Sequence, residues 1–438
     1  MATPMAAGCV SYSWRSLADS TRAPRDGQPR GSTPRIFLPI PSEALGYIDS
    51  VLEAGGEPMV FGLPTERPTG GVALRREWIA DWAESFCTTN TLDALLISST
   101  EPAELAGLLI AALRLDLPAV VVPAEDPFTV ALAALGLAPI SGDAAEVCVE
   151  LALGGGPRPR DLVGGFSLAN ALRSGLASGA GPELLVHLAA IAREAGVAGF
   201  SQMIRVLAPE SPKVVELDSA WFESHGLAGL FAHLGDVLHD TGTVIGRLKE
   251  GLPISSPLPE GAGSRLVFVR GRASGTEVVC RADEGTLEIS GDCRCFASEE
   301  DAVRGIEGGS VEPSELVVVA GCGPRGGPGL LRLDRLGGAL AEAGLEVPVL
   351  TDGLPPETAP GAWASLMTPE AAMGGVIGRL RDGDALRLDL AEGLIRTGIL
   401  AEEIRRREPL SFSAPLGFGY AGRHARSALP ALEGAGFG

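Results

Sequence analysis

The segment with the clearest chemical signature is glycine-rich and spans residues 323–329, with the sequence Gly-Pro-Arg-Gly-Gly-Pro-Gly. It follows an apolar run at 316–320 and precedes a helical pattern. Glycines let a backbone approach a ligand closely, and exposed backbone amides can hold an anion. The spacing matches neither the phosphate-binding loop nor the dinucleotide-binding fingerprint. The segment therefore indicates either a ligand site, with Gly326, Gly327 and Gly329 as its contacts, or a tight structural turn.

A second candidate is the tripeptide Thr351-Asp352-Gly353, which ends an apolar run at 347–351. Ligands bind at the carboxyl ends of strands in open α/β sheets, so Thr351, Asp352 and Gly353 are candidate ligand contacts. Asp-Gly is equally typical of an ordinary turn, and both interpretations stay open.

The cysteine and histidine residues do not form a recognisable metal motif. One residue separates Cys293 from Cys295, which is not a usual zinc spacing, and no histidine or second cysteine pair follows at finger distance. We interpret them as two thiols on one face of a strand. His187 falls on the apolar side of a helical pattern, which is typical of a hydrogen-bonded core histidine. We therefore predict no metal ligands.

The composition indicates a folded, acidic protein. The chain has 438 residues, of which 45% are hydrophobic and 21% are charged, with a formal net charge of −20. This length can bury the cores of about two domains. The acidity argues against nucleic acid and anionic membranes as partners. An odd number of cysteines, seven, in a large chain argues against a disulfide framework.

The first 34 residues are rich in Ser, Pro, Gly and Arg and lack the apolar core of a secretory signal. We expect residues 1–34 to be a disordered tail and the protein to be cytoplasmic. No apolar run reaches the roughly 18 residues that a membrane-spanning helix needs.

Strand and helix patterns alternate in the first part of the chain. Short apolar runs at 36–40, 59–63, 94–98 and 119–123 are typical of buried strands, and helical periods at 74–86 and 103–115 lie between them. This alternation predicts an α/β fold with a doubly wound parallel sheet. Pro102 and Glu104 suit the first turn of the second helix.

A stretch rich in Pro, Gly and Ser at 251–264 predicts a linker between domains. Beyond it, apolar runs at 265–269, 277–281, 286–290, 316–320 and 347–351 predict strands with only short helices between them. The alternating apolar and polar residues at 386–390 predict a half-exposed strand. The sequence therefore predicts an N-terminal α/β domain at 35–250 and a β-rich domain at 265–438.

Residues 317–403 resemble the dihydroxy-acid dehydratase / phosphogluconate dehydratase family, which also includes sugar-acid dehydratases. The matching text is the glycine-rich segment at 323–329, Val-Leu-Thr-Asp-Gly at 349–353, Thr-Pro-Glu-Ala-Ala at 368–372, Arg-Asp-Gly-Asp at 381–384 and Leu-Asp-Leu-Ala-Glu-Gly at 388–393. Weaker matches, such as 109–118 and 186–196, extend the resemblance over almost the whole chain after Arg35.

The resemblance implies an α/β N-terminal domain, a C-terminal β-barrel-like domain and usually a dimer. The chemistry it implies is removal of water from a 2,3-dihydroxy acid. An iron–sulfur cluster would bind the leaving hydroxyl, and a magnesium ion held by carboxylates and a carbamylated lysine would bind the substrate acid. A serine alkoxide would take the C2 proton.

This sequence departs from the family at the positions that hold the inorganic groups. A cluster cysteine is replaced by Glu101, a metal aspartate by Pro102 and the carbamylated lysine by Ala103. The first family cysteine falls at 35–41, where this chain has none, and the third falls in a segment deleted between Asp126 and Pro127. The chain has only two lysines, and both lie far from Ala103 in sequence.

The positions that contact the substrate or act as base also differ. A loop that carries a metal aspartate is shortened to residues 62–71 and has no Asp. The metal glutamate aligns with Arg332, the serine base with Pro356, and a substrate-binding segment with residues 179–183, which end in Glu183. Arg332 would repel a magnesium ion but would attract a carboxylate.

Three functions follow from these departures. The first is a divergent family member without iron–sulfur-dependent dehydration that acts as a binding or partner subunit, as a homodimer or with a paralogue. The second is a repurposed, cluster-free enzyme for a small hydroxy-carboxylate, and the third is an active hydro-lyase with displaced ligands. We assign no catalytic residue, expect neither cluster nor magnesium, and name as candidate ligand contacts Glu101, Glu183, Arg332 and the glycine-rich and Thr-Asp-Gly residues given above.

Overall fold

A computed structural model describes residues 33–40, 46–63, 70–258, 263–271, 275–283, 285–327, 329–356, 361–410, 417 and 419–438. The predicted tail at 1–34 lies outside these residues except for Thr33 and Pro34, and part of the predicted linker at 251–264 also lies outside them. The tail, the linker and the domain limits therefore stay predictions.

The first part of the chain forms a parallel four-stranded sheet in the order β2-β1-β3-β4. Its strands are β1 (Arg35–Ile40), β2 (Glu57–Gly62), β3 (Ala94–Ile97) and β4 (Ala119–Val121). All residues of β3 and β4 are buried, as expected of apolar runs that are covered by helices on both faces of a parallel sheet. The predicted α/β fold with a parallel sheet is confirmed.

Helices connect and cover these strands. They are α1 (Gly46–Glu53), α2 (Val72–Asn90), α3 (Pro102–Leu115), α4 (Pro127–Ala134), α5 (Ala144–Gly154), α6 (Pro159–Leu162), α7 (Gly165–Ala177), α8 (Pro182–Glu194), α9 (Phe200–Leu207) and α10 (Ala220–His233). A short hairpin of β5 (Gly242–Thr243) and β6 (Gly246–Arg247) follows. Within the described residues, no helix is both long enough and apolar enough to cross a membrane.

Proline lies at the start of four of these helices, α3, α4, α6 and α8. Pro102, Pro127 and Pro182 each occupy the first helical turn, where the missing N–H costs no hydrogen bond. Because α3 follows β3 and α4 follows β4, both helices begin at the carboxyl edge of the sheet, where α/β folds place ligands. The prolines at 102 and 127 therefore place the first turns of α3 and α4 at the same edge of the sheet.

The second part of the chain closes into an eight-stranded barrel in the order β10-β11-β12-β8-β7-β14-β13-β9. Its strands are β7 (Arg265–Gly271), β8 (Glu277–Ala282), β9 (Glu288–Phe296), β10 (Glu315–Val319), β11 (Val349–Thr351), β12 (Trp363–Thr368), β13 (Ala385–Asp389) and β14 (Leu394–Thr397). Four neighbours, β9 to β12, pair in parallel, and β13 pairs antiparallel with β9 and β14. This confirms the barrel-like domain; the sequence analysis did not predict β12 and β14.

Short helices accompany the barrel, as predicted. They are α11 (Glu299–Glu307), α12 (Asp334–Ala343), α13 (Ala401–Arg406) and α14 (Tyr420–Ser427). The apolar core of the α/β part continues into the barrel through buried side chains that include Leu330, Leu354 and Leu366. The two parts are therefore packed against each other rather than joined only by the chain.

The glycine-rich segment forms part of this contact. The amides of Val72 and Ala73, at the start of α2, donate hydrogen bonds to the carbonyl oxygens of Leu330 (3.0 Å) and Gly329 (2.8 Å). Gly329 has a φ of +86°, and a Cβ at this residue would lie 2.2 Å from the Cβ of Leu74. Only glycine fits at 329, because the backbone is left-handed there and α2 leaves no room for a side chain.

We predict that Gly329→Ala lowers the free energy of unfolding by roughly 3 kcal/mol, from left-handed strain plus overlap with α2. Gly344→Ala is the matched control, because Gly344 has a φ of +61° but no atom within 4 Å of its added Cβ. It should cost only about 1 kcal/mol. Urea unfolding checks both values, and equal losses would show that the close approach to α2 is unimportant.

Candidate ligand-binding cleft

A cavity of about 820 Å³ lies between the carboxyl edge of the sheet and the barrel. On the α/β side it is lined by the first turns of α3, α4 and α8, which carry Glu101, Asp126 and Glu183. On the barrel side its wall includes Arg281 and Asp283. Prolines and aromatic rings complete the wall at Pro102, Pro127, Phe128, Pro182, Pro355, Pro356 and Trp363. We call this cavity the cleft.

The structure brings several positions singled out by the sequence into this cleft. Glu101, Pro102, Pro356 and the segment that ends in Glu183 all line it, although they are far apart in the chain. Arg332 is not among the lining residues, but its Nη1 lies 3.2 Å from Oε2 of Glu183. The positions that the family resemblance assigns to cluster, base and substrate therefore converge in one place.

None of the described residues of the glycine-rich segment, 323–327 and 329, lines the cleft, and several of their amides bond within the protein. The Arg325 and Gly326 amides donate to Oε2 of Glu370 at 3.0 and 3.4 Å, and the Gly327 amide donates to the Gly323 carbonyl at 2.9 Å. A buried carboxylate of the chain itself thus takes the place of an external anion. These contacts favour the structural-turn interpretation.

The Thr351-Asp352-Gly353 tripeptide is also engaged internally. The buried Asp352 carboxylate accepts hydrogen bonds from the amides of Cys322 (2.8 Å), Ala371 (2.8 Å) and Gly321 (3.2 Å). The Gly353 amide donates to Oγ1 of Thr351 at 3.0 Å. Burial raises the pKa of Asp352, which the three amide donors partly offset.

Beside Asp352, burial also raises the pKa of Glu370 to about 7, with a further contribution from the negative charge of Asp352. Glu370 lies 45 residues from Arg325 in the chain, so the sequence analysis missed this contact. Glu370 thus fixes the glycine-rich segment, and Asp352 fixes residues 321–322 directly before it.

A chain of buried ionic side chains begins at Arg332 and runs into the α/β part. Glu183 accepts from Arg332 with Oε2 and lies 3.0 Å from Nε2 of His187 with Oε1. Nδ1 of His187 lies 3.2 Å from Nη1 of Arg76, which in turn pairs with Glu77 at 2.8 Å. Because arginine can only donate, His187 must accept at Nδ1 and donate its Nε2–H to Glu183.

Electrostatics set the charge state along this chain. Burial lowers the pKa of His187, so the ring stays neutral, although Glu183 opposes that shift. Burial by itself would raise the pKa of Glu183, but the hydrogen bonds and charges of His187 and Arg332 lower it overall. The predicted hydrogen-bonded core histidine is confirmed, since His187 is fully buried and bonded at both ring nitrogens.

The first turn of α3 carries a second buried network. The Glu104 carboxylate forms an ion pair with Arg75 and accepts the Ser99 hydroxyl at 2.8 Å. The Glu101 amide donates to Oγ of Ser99 at 3.1 Å. These side chains fix the helix start that carries Glu101 into the cleft, and the sequence analysis did not find Arg75 or Ser99.

The fold and the cleft define a class of protein with an α/β sheet docked on a mixed eight-stranded barrel and its ligand cavity between them. A sequence model described as "Dihydroxy-acid/6-phosphogluconate dehydratase C-terminal" matches residues 257–435. The dihydroxy-acid dehydratase of Citrifermentans bemidjiense is 27% identical over 96% of this chain and 90% of that protein. That of Geobacter metallireducens is 26% identical over the same shares. That of Clostridium botulinum is 31% identical over 64% of this chain and 55% of that protein. Residues 257–435 therefore belong to the dihydroxy-acid/6-phosphogluconate dehydratase family, and the similarity to dihydroxy-acid dehydratases extends over 96% of the chain.

The residues of this cleft do not fit the inorganic groups that the family resemblance implies. Pro102 and Ala103 have no ligand atoms, and none of the described cysteines lines the cleft. Cys293 lies buried in β9 with Cys295 two residues on, as predicted for two thiols in a strand. Among the described residues, no cluster of three or more His, Cys, Asp or Glu side chains could hold a metal ion.

We predict that Glu370→Gln changes the pH dependence of stability. The folded pKa of about 7 lies above the ordinary value of 4.5, so the contribution of Glu370 is fully present below pH 4.5 and is lost as the pH rises through 7. The variant should therefore gain about 2.5 kcal/mol relative to wild type between pH 5 and pH 8.

Urea unfolding at a series of pH values measures this difference. The control is Glu342→Gln at an exposed position of α12, whose profile should run parallel to wild type. A constant offset between Glu370→Gln and wild type would show that Glu370 is ionised normally in the folded protein.

Proposed function

We propose that this chain is a divergent family member that does not carry out iron–sulfur-dependent dehydration and acts as a binding or partner subunit, with itself or with a paralogue. We also propose that it is cytoplasmic. The observation that carries this proposal is the make-up of the cleft wall, where Glu101, Pro102 and Pro356 lie at positions that the family resemblance assigns to cluster, metal and base. Buried Ala103, next to Pro102, takes the place that the resemblance assigns to the lysine.

The chemistry of these side chains supports the proposal. Proline at 356 has no group that can take a proton, and alanine at 103 cannot carry a carbamate. Glu101 offers hard carboxylate oxygens, which are poor ligands for an iron–sulfur cluster compared with a thiolate. A single replacement could be compensated nearby, whereas the combined loss of thiolates, lysine and base supports the absence of the family reaction.

A second candidate, a cluster-free enzyme for a small hydroxy-carboxylate, is favoured by the size of the cleft. About 820 Å³ is sufficient for a small acid. Arg281 is a cation in its wall, and its Nε donates to Oγ of Ser264 at 3.2 Å, which orients the guanidinium. Arg281 is a better carboxylate anchor than Arg332, because Arg332 already pairs with Glu183 and Asp334.

Iron and sulfide analysis after anaerobic purification tests the proposed function. We expect a colourless protein without stoichiometric iron or sulfide, also after incubation with ferrous iron, sulfide and thiol, because no described cysteine lines the cleft. A family member that retains the cluster cysteines, treated identically, is the positive control. A brown protein that dehydrates 2,3-dihydroxy or sugar acids would overturn the proposal and favour an active hydro-lyase with displaced ligands.

The same preparation separates the two remaining candidates. Iron-free protein that converts a hydroxy-carboxylate, and loses this activity in Arg281→Ala, would favour the repurposed enzyme. Binding of a partner chain or of a carboxylate without turnover would favour the binding subunit.

A further inference from the structure

Arg332 lies where the family resemblance places a metal-binding glutamate, and it is held between two carboxylates. Its Nη1 is 3.2 Å from Oε2 of Glu183, and its Nε is 3.1 Å from both carboxylate oxygens of Asp334. Only 12% of the Arg332 side chain and 15% of the Glu183 side chain are exposed. A positive group thus occupies the position between acidic side chains that a bound cation would take.

The backbone fixes this arginine in place. Arg332 forms a parallel bridge with Leu354, and the Leu333 amide donates to the Leu354 carbonyl at 3.1 Å. On the opposite side, Glu183 is held in its orientation by His187, whose own position is set by Arg76. The guanidinium and Glu183 therefore approach each other from two parts of the fold, and each is held by hydrogen bonds within its own part.

We propose that the Arg332 guanidinium is a built-in cation: it replaces a divalent metal ion between Glu183 and Asp334, joins the barrel to the α/β part, and keeps divalent cations out of this region. A guanidinium remains charged at all relevant pH values and repels a second cation at this distance. The inference goes beyond the proposed function, since it holds whether the cleft binds or converts its ligand.

Two consequences follow from this arrangement. Docking of the two parts should not depend on metal ions, so chelators should leave the folded chain unchanged. Glu183 and Asp334 should become part of a cation site once Arg332 is replaced by a carboxylate. The three carboxylates would then supply the oxygen ligands that Mn²⁺ and Mg²⁺ prefer.

Manganese titration followed by electron paramagnetic resonance, together with thermal unfolding, tests the proposal on the full chain. Wild type should show the same unfolding temperature in EDTA and in MnCl₂ at matched ionic strength. Arg332→Glu should unfold at a lower temperature in EDTA, recover on addition of Mn²⁺, and bind one Mn²⁺ more per chain than wild type, at least about tenfold tighter than any wild-type site.

Arg332→Gln is the matched control, because it removes the charge without adding a ligand oxygen of the carboxylate type. It should lose stability in EDTA and should not recover with Mn²⁺. If Arg332→Glu does not fold without metal, recovery of folded protein in Mn²⁺ but not in EDTA gives the same answer.

Either of two results would overturn the proposal. One is a wild-type Mn²⁺ site that disappears in Glu183→Gln, since Arg332 would then not exclude cations. The other is an Arg332→Glu variant that gains no Mn²⁺ site and no metal-dependent stability. Both results are independent of the iron analysis, so this inference and the proposed function can fail separately.

Discussion

Arg332 pairs with Glu183 across the contact between the barrel and the α/β part, and both side chains are largely buried there. Charges removed from water must be paired, and breaking a buried pair costs more than the pair itself contributes. Here the pair begins a series of buried polar contacts. Glu183 contacts His187, His187 contacts Arg76, and Arg76 pairs with Glu77. Loss of the arginine would leave Glu183 with a neutral imidazole as its remaining partner in this series.

The glycine-rich segment supports the same contact from another side. The carbonyl groups of Gly329 and of Leu330 next to it accept hydrogen bonds from the start of α2, and α2 carries Arg76 and Glu77 into the ionic series. Amides of the segment are held by Glu370, with Asp352 bound to the neighbouring turn. A segment whose composition is typical of ligand binding therefore serves here to dock two parts of the fold. The cleft lies beside this contact and is lined by other residues.

Much of the fold could be predicted from the sequence, because burial on a parallel strand and proline at a helix start are local signals. The strands β1, β3 and β4 and the start of α3 follow directly from such patterns. Barrel closure through β12 and β14 could not be predicted, since it depends on pairing between distant segments.

The candidate site was predictable only in part, for the same reason. The apolar helical face predicted that His187 is buried, but its partner Arg76 lies 111 residues away. Glu101 and Glu183 were found through the family resemblance, and both line the cleft. The carboxylate that binds the glycine-rich segment, Glu370, gave no signal, because a sequence pattern shows that a residue is buried and not what it contacts.

A double-mutant cycle on Glu183→Gln and Arg332→Gln, followed by urea unfolding in EDTA, measures how much the two charges stabilise each other across this contact. Glutamine at 183 keeps an acceptor for His187, so the cycle isolates the ionic contact. The account predicts a coupling energy of at least about 1.5 kcal/mol, against about 0.5 kcal/mol or less for the exposed pair Glu402 and Arg406. Additivity of the two changes within about 0.5 kcal/mol would contradict it.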